Sequence, residues 1–283
     1  MPAPLLAVDA PSLLYRAFFA LPESIVDDER RPVNALLGCA NQVLWAVERH
    51  APRAVALCFG AEAAVYRVEL HPGYHADRPP MPAALERQWR LAPALYEAFG
   101  WTVIGHDTLE ADDLLGSLAR IETRAGGDTL VFSGDRDMFQ CVSEHVRVLF
   151  PGGRDGPTLI DADEVRARYG VEPEQVPDFI ALRGDPSDGI PGAKGVGAKT
   201  AAELLARHGD LEAAIAHADS ERPRIAAALR DDAERLRAYK EVATLVHVPL
   251  DRPPDRALDA AAAAAATREL GMSRLADRLA GMA

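Results

Sequence analysis

Cysteine is scarce. Cys39, Cys58 and Cys141 are odd in number, far apart and without a CxxC pair. That excludes a disulfide framework and a thiolate zinc site, and it leaves three apolar thiols for the interior. The eight histidines show no HExxH or comparable ligand spacing, which argues against a zinc hydrolase. No Ser-His-Asp or Cys-His arrangement offers a nucleophile with its base. A basic surplus is missing too. The formal net charge is −12, so composition gives no support to phosphate binding, which ordinarily needs a cationic surface. The amino terminus, MPAPLLAVDA, has no basic leader and its apolar run breaks at Asp9. Neither a signal peptide nor a membrane span is expected there, which makes the cytoplasm the expected location.

What is present is apolar material in short runs. A chain of 283 residues that is 48% hydrophobic suffices for one large α/β domain and a smaller appendage. Runs at Leu5 to Val8, Ala54 to Phe59, Thr102 to Ile104 and Thr129 to Phe132 alternate with amphipathic helical stretches, the rhythm of βαβ units building a mostly parallel sheet. Such sheets bind ligands beyond the carboxyl ends of their strands. Asp9 follows the first run directly, and Ser133-Gly134-Asp135-Arg136-Asp137 follows the fourth. The loop from Pro151 to Pro157 reads as a turn between two short strands. After it, Asp161-Ala162-Asp163-Glu164 matches a helix-opening capping box, and Gly170 ends that helix. From there the sequence reads as all helix. The expected division is residues 1–158 and 159–283, with the poly-Ala run at 260–266 as helix or linker.

Acids cluster in three places besides Asp9. Glu110, Asp112 and Asp113 open a helix; Asp135 and Asp137 follow a buried strand; Asp185 and Asp188 sit in a Gly-Pro-rich loop. Each alone has an ordinary explanation, since capping favours acids in a first helical turn and Asp-rich turns are common. Together they suit hard divalent cations, which take oxygen ligands, and two such ions about 4 Å apart suit phosphoryl hydrolysis. The segment Gly192-Ala193-Lys194-Gly195-Val196-Gly197-Ala198-Lys199-Thr200 is not a P-loop, because Ala198 separates the glycine from the lysine. It reads as a helix-hairpin-helix turn whose backbone N–H groups and lysines meet a phosphate. From Tyr66 to Arg90, the basic residues Arg67 to Arg90 are interleaved with Tyr66, Tyr74 and Trp89, a composition that suits a single-strand channel.

These ordered blocks resemble the 5′-3′ exonuclease and flap-endonuclease family, best known from the 5′ nuclease domain of DNA polymerase I. LAVDAPSLLYRAF resembles its first metal block, with Arg16 as the arginine, and YHADRPPMP resembles the arch segment, with Arg78 against phosphate and Tyr74 in the grip. LEADD, SGDRDM and RGDPSDGIPGAKGVGAKTA follow in order. The resemblance implies a PIN-like nuclease domain with a mostly parallel sheet and helical arch, followed by an all-helical helix-three-turn-helix domain. It implies Mg2+ or Mn2+ held by Asp9, Glu110 and Asp112 in one group and by Asp135, Asp137, Asp185 and Asp188 in the other, with Asp113 in either shell. It implies K+ at the hairpin turn, and DNA contacts from Arg67, Tyr74, Lys194, Gly195, Gly197, Lys199 and Thr200. The expected activity is cleavage of DNA 5′ ends and flaps, without polymerase, by a nucleoid-associated monomer that uses no membrane.

Two positions depart from the family pattern. Gly60 stands where the family has an Asp, and His75 stands where it has an arch Lys. They support a second reading, a junction-binding homologue with weak or no cleavage, in which Glu62 is a poorly placed substitute ligand. A third reading is an RNA-directed nuclease of the same fold.

Overall fold

The computed structural model describes residues 3–152 and 156–283. Six strands form one sheet in the order β3-β2-β1-β4-β5-β6. They are β1 (Leu5–Asp9), β2 (Ala54–Phe59), β3 (Thr102–Gly105), β4 (Thr129–Phe132), β5 (Val146–Phe150) and β6 (Thr158–Ile160). All neighbours are parallel except the β5–β6 pair. The two short strands expected around the Pro151 to Pro157 turn are therefore an antiparallel pair; Gly153, Arg154 and Asp155 lie outside the described residues.

Every residue of β1 and β2 is buried, as expected of parallel strands covered on both faces. Successive side chains point to opposite sides, and the core divides accordingly. Leu5 and Ala7 join one apolar cluster and Leu6 and Val8 the other. The second cluster lies under α1 (Ala10–Ala20), α2 (Asn34–His50) and α4 (Ala83–Glu97). The first lies under α5 (Ala111–Arg124) and continues into the second half of the chain. Between β2 and α4 come the short α3 (Val65–Leu70) and an irregular turn.

Past β6, α6 (Ala162–Tyr169) opens as expected. The Asp161 side chain accepts from the Glu164 N–H, and Gly170 closes the helix in the left-handed conformation. The reciprocal half of the box is not made, because the Glu164 carboxylate pairs with Arg168. Then follow α7 (Val176–Arg183), α8 (Ala198–His208), α9 (Leu211–Ala216), α10 (Pro223–Asp231) and α11 (Ala233–Ala243).

The reading of residues 159–283 as one all-helical unit needs two corrections. Residues 245–259 are an irregular strap with no helix or strand. Pro249, Pro253 and Pro254 cannot continue a helix. The strap's backbone is instead satisfied by the first half of the chain: Leu245 N–H donates to Gln140 Oε1 at 3.1 Å, Val246 N–H to Asp113 Oδ1 at 3.0 Å and Val248 N–H to Ser117 Oγ at 3.0 Å. Beyond it, α12 (Ala260–Glu269), which contains the poly-Ala run, and α13 (Ser273–Ala280) return to the sheet. Ala263, Ala264, Met272, Leu275 and Leu279 complete the cluster beneath α1 and α2. The last helices thus belong to the core of the first half.

Candidate active site

The strand order reverses at β1 and β4, and in open α/β sheets the crevice beyond such a switch holds the ligand. Asp9 ends β1 there and also caps α1, accepting from Ser12 N–H at 2.9 Å. Its other oxygen accepts from Ser133 Oγ at 2.5 Å. The same Ser133 hydroxyl accepts from Asp135 N–H, and Asp135 Oδ1 in turn accepts from Asp137 N–H, both at 2.9 Å. Gly134 N–H donates to Ser12 Oγ. Ser12 and Ser133 thus lock two acidic blocks that lie 124 residues apart. Sequence reasoning assigned them no role, and a serine directly before Gly134 at a strand end was the signal to follow.

Asp9, Glu110, Asp112 and Asp135 line one cleft of about 490 Å³, together with Ser12, Tyr15, Glu62, Tyr74, His75, Arg78 and Trp89. Asp137, Asp185 and Asp188 sit just behind, close enough to act on Asp135 and on one another. Burial, opposed by the bonds from Ser133 and Ser12 and reinforced by Asp135 and Glu110, raises the Asp9 carboxyl to about 6. Asp135 also rises to about 6, chiefly through burial, with Asp188 and Asp185 adding to it. Asp112 and Asp137 are driven well above the carboxylate range by burial first and neighbouring carboxylates second. The field therefore resists ionisation of the whole set.

The acids of the α5 start divide between two tasks. Capping does not explain Glu110, whose side chain makes no cap bond. Glu110 Oε1 accepts from Ala64 N–H and Arg67 Nη1, both at 2.8 Å, and Oε2 accepts from the Tyr74 hydroxyl at 3.0 Å. Asp112 faces the cleft. Asp113, wholly buried, turns the other way: its Oδ1 accepts from Arg67 Nη2, the Tyr66 hydroxyl and Val246 N–H.

Several assignments change here. Arg67 is 3% exposed, and each of its three guanidinium nitrogens donates within the protein, to Glu110, Asp113 and the Val242 carbonyl. It is a buried counter-ion, held out of reach of DNA by its burial. Asp113 is its partner and does not line the cleft. Tyr74 lines the cleft, but its hydroxyl is committed to Glu110. Arg87 pairs with Asp27 and Arg90 with Glu86, so the basic-aromatic strip is not a continuous channel wall. Arg16 lines a neighbouring groove with Phe19 and Trp45, where its Nη2 donates to the Pro151 carbonyl at 3.4 Å.

The arch turn is tied to the second acidic loop. Asp188 Oδ1 lies 3.1 Å from Arg78 Nη2 and 3.2 Å from His75 Nε2, while His75 Nδ1 lies 2.8 Å from the Glu62 carbonyl. His71 Nε2 meets the Gly189 carbonyl at 2.9 Å. Asp185 Oδ1 accepts from Ser187 N–H and Oδ2 from Arg183, an Asx turn within its own loop. His75 holds a left-handed backbone, φ 54°, with its ring stacked on Tyr74.

Gly60 has its own reason. A Cβ there would lie 2.5 Å from each of Leu109 O, Glu110 C and Ala111 N. This close approach lets Ala61 N–H donate to the Leu109 carbonyl at 2.8 Å, pinning the loop that carries Glu110. No side chain fits. The Glu62 carboxylate, two residues on, does line the cleft.

The hairpin-turn residues do not line the cleft. Lys194, Gly195, Gly197 and Lys199 are exposed and Thr200 is half-buried, with Val196 anchoring the turn inward. α8 begins at Ala198 behind Gly197.

Among the described residues no three acidic, histidine or cysteine side chains already converge on one ion position, but the donor set fits hard divalent cations. Asp112 and Asp137 are the two most strongly raised carboxyls, and no hydrogen bond to either carboxylate is among those found in the structure. Their oxygens are free to ligate. No helix among the described residues is long and apolar enough to cross a membrane.

Comparison with known proteins agrees with this geometry. Residues 4–170 match the model of the 5′-3′ exonuclease N-terminal resolvase-like domain, and residues 171–264 that of the 5′-3′ exonuclease C-terminal SAM fold. A 5′-3′ exonuclease of Mycobacterium tuberculosis is 37% identical over 90% of this chain and 89% of its own length. DNA polymerase I of Chloroflexus aurantiacus is 38% identical over 86% of this chain and 26% of its own length. The chain thus spans about a quarter of the polymerase relatives it matches. T5 5′-exonuclease with bound zinc shares the fold at a TM-score of 0.69, with 17% identity and coverage of 98% and 97% of the two chains. The catalytic core of Rad2 in complex with DNA substrate does so at 0.66, with 16% identity and coverage of 98% and 91%. With matched models on both halves and a relative matched over about nine-tenths of both chains, the chain belongs to the 5′-3′ exonuclease family.

Proposed function

We propose that this protein hydrolyses phosphodiester bonds of DNA at 5′ ends and 5′ flaps near single-strand/duplex junctions, with Mg2+ or Mn2+ as cofactor. The observation that carries this reading is the shared cleft of Asp9, Glu110, Asp112 and Asp135, backed by Asp137, Asp185 and Asp188. Asp9, Glu110 and Asp112 would hold one ion, and Asp135, Asp137, Asp185 and Asp188 a second. When bound, such a pair activates an attacking water and stabilises the leaving oxygen.

The chain's own residues do the rest. Ser133 and Ser12 fix Asp9, and Arg67 and Tyr74 fix Glu110. Arg78, its side chain half exposed at the cleft, offers a guanidinium to the scissile phosphate, with His75 beside it. Lys194, Gly195, Gly197, Lys199 and Thr200 hold a phosphate of the duplex, with K+ in the turn. The protein would work as a monomer on nucleoid DNA. The non-cleaving reading leaned on Gly60 and His75; packing against Glu110 accounts for the glycine.

Cleavage of end-labelled 5′-flap, nicked, blunt and RNA-flap substrates in EDTA, Mg2+ and Mn2+ tests the reading. Metal-dependent cleavage of the DNA flap, lost in Asp135→Ala, is expected. Binding without cleavage, preference for the RNA flap, or an unchanged Asp135→Ala rate would each overturn it.

A further inference from the structure

Cations in the segment from residue 171 to 250 are almost all neutralised at short range. Arg183 pairs with Asp185, Arg207 with Glu221, Arg230 with Asp219, Arg235 with Asp232, Arg237 with Glu212 and Lys240 with Asp178. Among the described residues, Lys194, Arg222 and Arg224 have no carboxylate within 4.0 Å, and Lys199 reaches Glu203 only at 3.9 Å. All four are exposed. Lysine occurs in this chain only at positions 194, 199 and 240, so two of those three positions fall in the hairpin turn.

Arg224 is not part of that turn in sequence, yet it lies against it. A Cβ on Gly195 would meet Arg224 Nε and Nη2, each at 2.9 Å. The guanidinium occupies the space that the missing side chain leaves, over the exposed backbone of the turn. Arg222 stands two residues earlier, at the start of α10. In an acidic chain that pairs its other cations here, these four stay exposed and uncommitted, so an external anion can take them as partners without first breaking an ion pair.

We propose that Arg224, with Arg222 beside it, is a second jaw of the duplex grip, contacting a backbone phosphate next to the one held by the hairpin turn. This rests on the DNA reading above. The ligand is the sugar-phosphate backbone of duplex DNA, contacted without regard to sequence. Neither Arg222 nor Arg224 lines the cleft, so the contact acts on substrate binding and not on the chemical step.

Fluorescence anisotropy of the full chain with a labelled nicked duplex, in Ca2+ and over a salt series, tests the proposal beside steady-state kinetics in Mg2+. Arg224→Ala should raise Kd about tenfold, as for loss of one charge-assisted bond, and reduce the slope of log Kd against log salt by about 0.9. KM should rise with kcat unchanged. Arg224→Lys should keep the slope, and Arg230→Ala, on the same helix but paired to Asp219, should match the wild type. If Arg224→Ala keeps the wild-type Kd and slope, or lowers kcat at constant KM, the second jaw does not exist. A wild-type protein that fails to bind duplex DNA would instead sink the DNA reading itself.

Discussion

Arg67 donates to Glu110 Oε1 at 2.8 Å from a site where only 3% of its surface meets solvent. The same guanidinium spans to Asp113 and to the Val242 carbonyl, so one cation ties α3, the start of α5 and the end of α11 together. Breaking a buried pair by removing one partner leaves the other charge uncompensated, typically at 3–5 kcal/mol. Arg67→Met should therefore cost roughly 3–5 kcal/mol in urea unfolding. Arg67→Lys should recover part of this, because it restores the charge without the forked donor geometry. Equal stability of Arg67→Met and wild type would show the network to be incidental.

Gly60→Asp restores the family's carboxylate on paper and should fail in practice. Its Cβ would meet three backbone atoms of the Leu109–Ala111 loop at 2.5 Å, and backbone does not swing aside as a side chain does. We expect Gly60→Ala and Gly60→Asp both to lose about 1–3 kcal/mol, with flap cleavage reduced as the Glu110 loop shifts. A Gly60→Asp enzyme faster than wild type would mean that the loop yields and that the missing carboxylate limits catalysis.

This glycine marks the boundary of what the sequence could tell. Strand positions, the mostly parallel pairing and the ends of α6 were legible because burial on both faces, capping and glycine punctuation leave local signatures. The acidic blocks were legible as a set through their order. Their division of labour was not: Asp112 and Asp113 are adjacent in sequence, and only helix direction sends one to the cleft and the other to Arg67. Arg67 looked like a DNA contact because its partners lie 43 and 46 residues away. The return of α12 and α13 to the first core left no local trace, since an Ala-rich helix packs wherever space allows.

Removal of metal should expose the tension within the cluster. Asp9 and Asp135 each stand near 6 because of burial and neighbouring acids, so without cations their charges repel. Asp135→Asn should raise the melting temperature of EDTA-treated protein, by about 2–4 °C for each kcal/mol of repulsion removed, while abolishing cleavage. Mg2+ should stabilise wild type more than the variant. Scanning calorimetry decides it, and a variant less stable than wild type in EDTA would contradict the repulsion.

Glu122 gives the acid limb of stability. Burial pushes its carboxyl up, but bonds and charges from Arg53 and Arg252 outweigh that and hold it below the ordinary 4.5. A carboxyl depressed in the folded state contributes stability that is fully present above its unfolded value and is lost as pH falls through the folded one. Glu122→Gln should therefore cost roughly 2–4 kcal/mol at pH 7, with the gap to wild type narrowing below about pH 4. Urea midpoints from pH 7 to 3 measure this, and a gap constant over that range would assign Glu122 a role independent of charge.

Arg78 and Asp188 are partners in this structure, at 3.1 Å, and the proposed chemistry needs each elsewhere: the carboxylate at a cation, the guanidinium at a phosphate. The pairing holds the arch turn against the 184–190 loop while leaving the Arg78 side chain 49% exposed, so the cation can change partners at little cost. The two residues should then separate cleanly by measurement. Arg78→Ala should lower kcat by about 10²–10³, the usual loss for one preorganised donor to developing charge, and should leave the Mg2+-induced rise in melting temperature intact. Asp188→Asn should diminish both, because it removes a ligand as well as the anchor of His75 and Arg78. If Arg78→Ala abolished the Mg2+ response as fully as Asp188→Asn does, the guanidinium would be acting on the metal site through Asp188 and not on the phosphate.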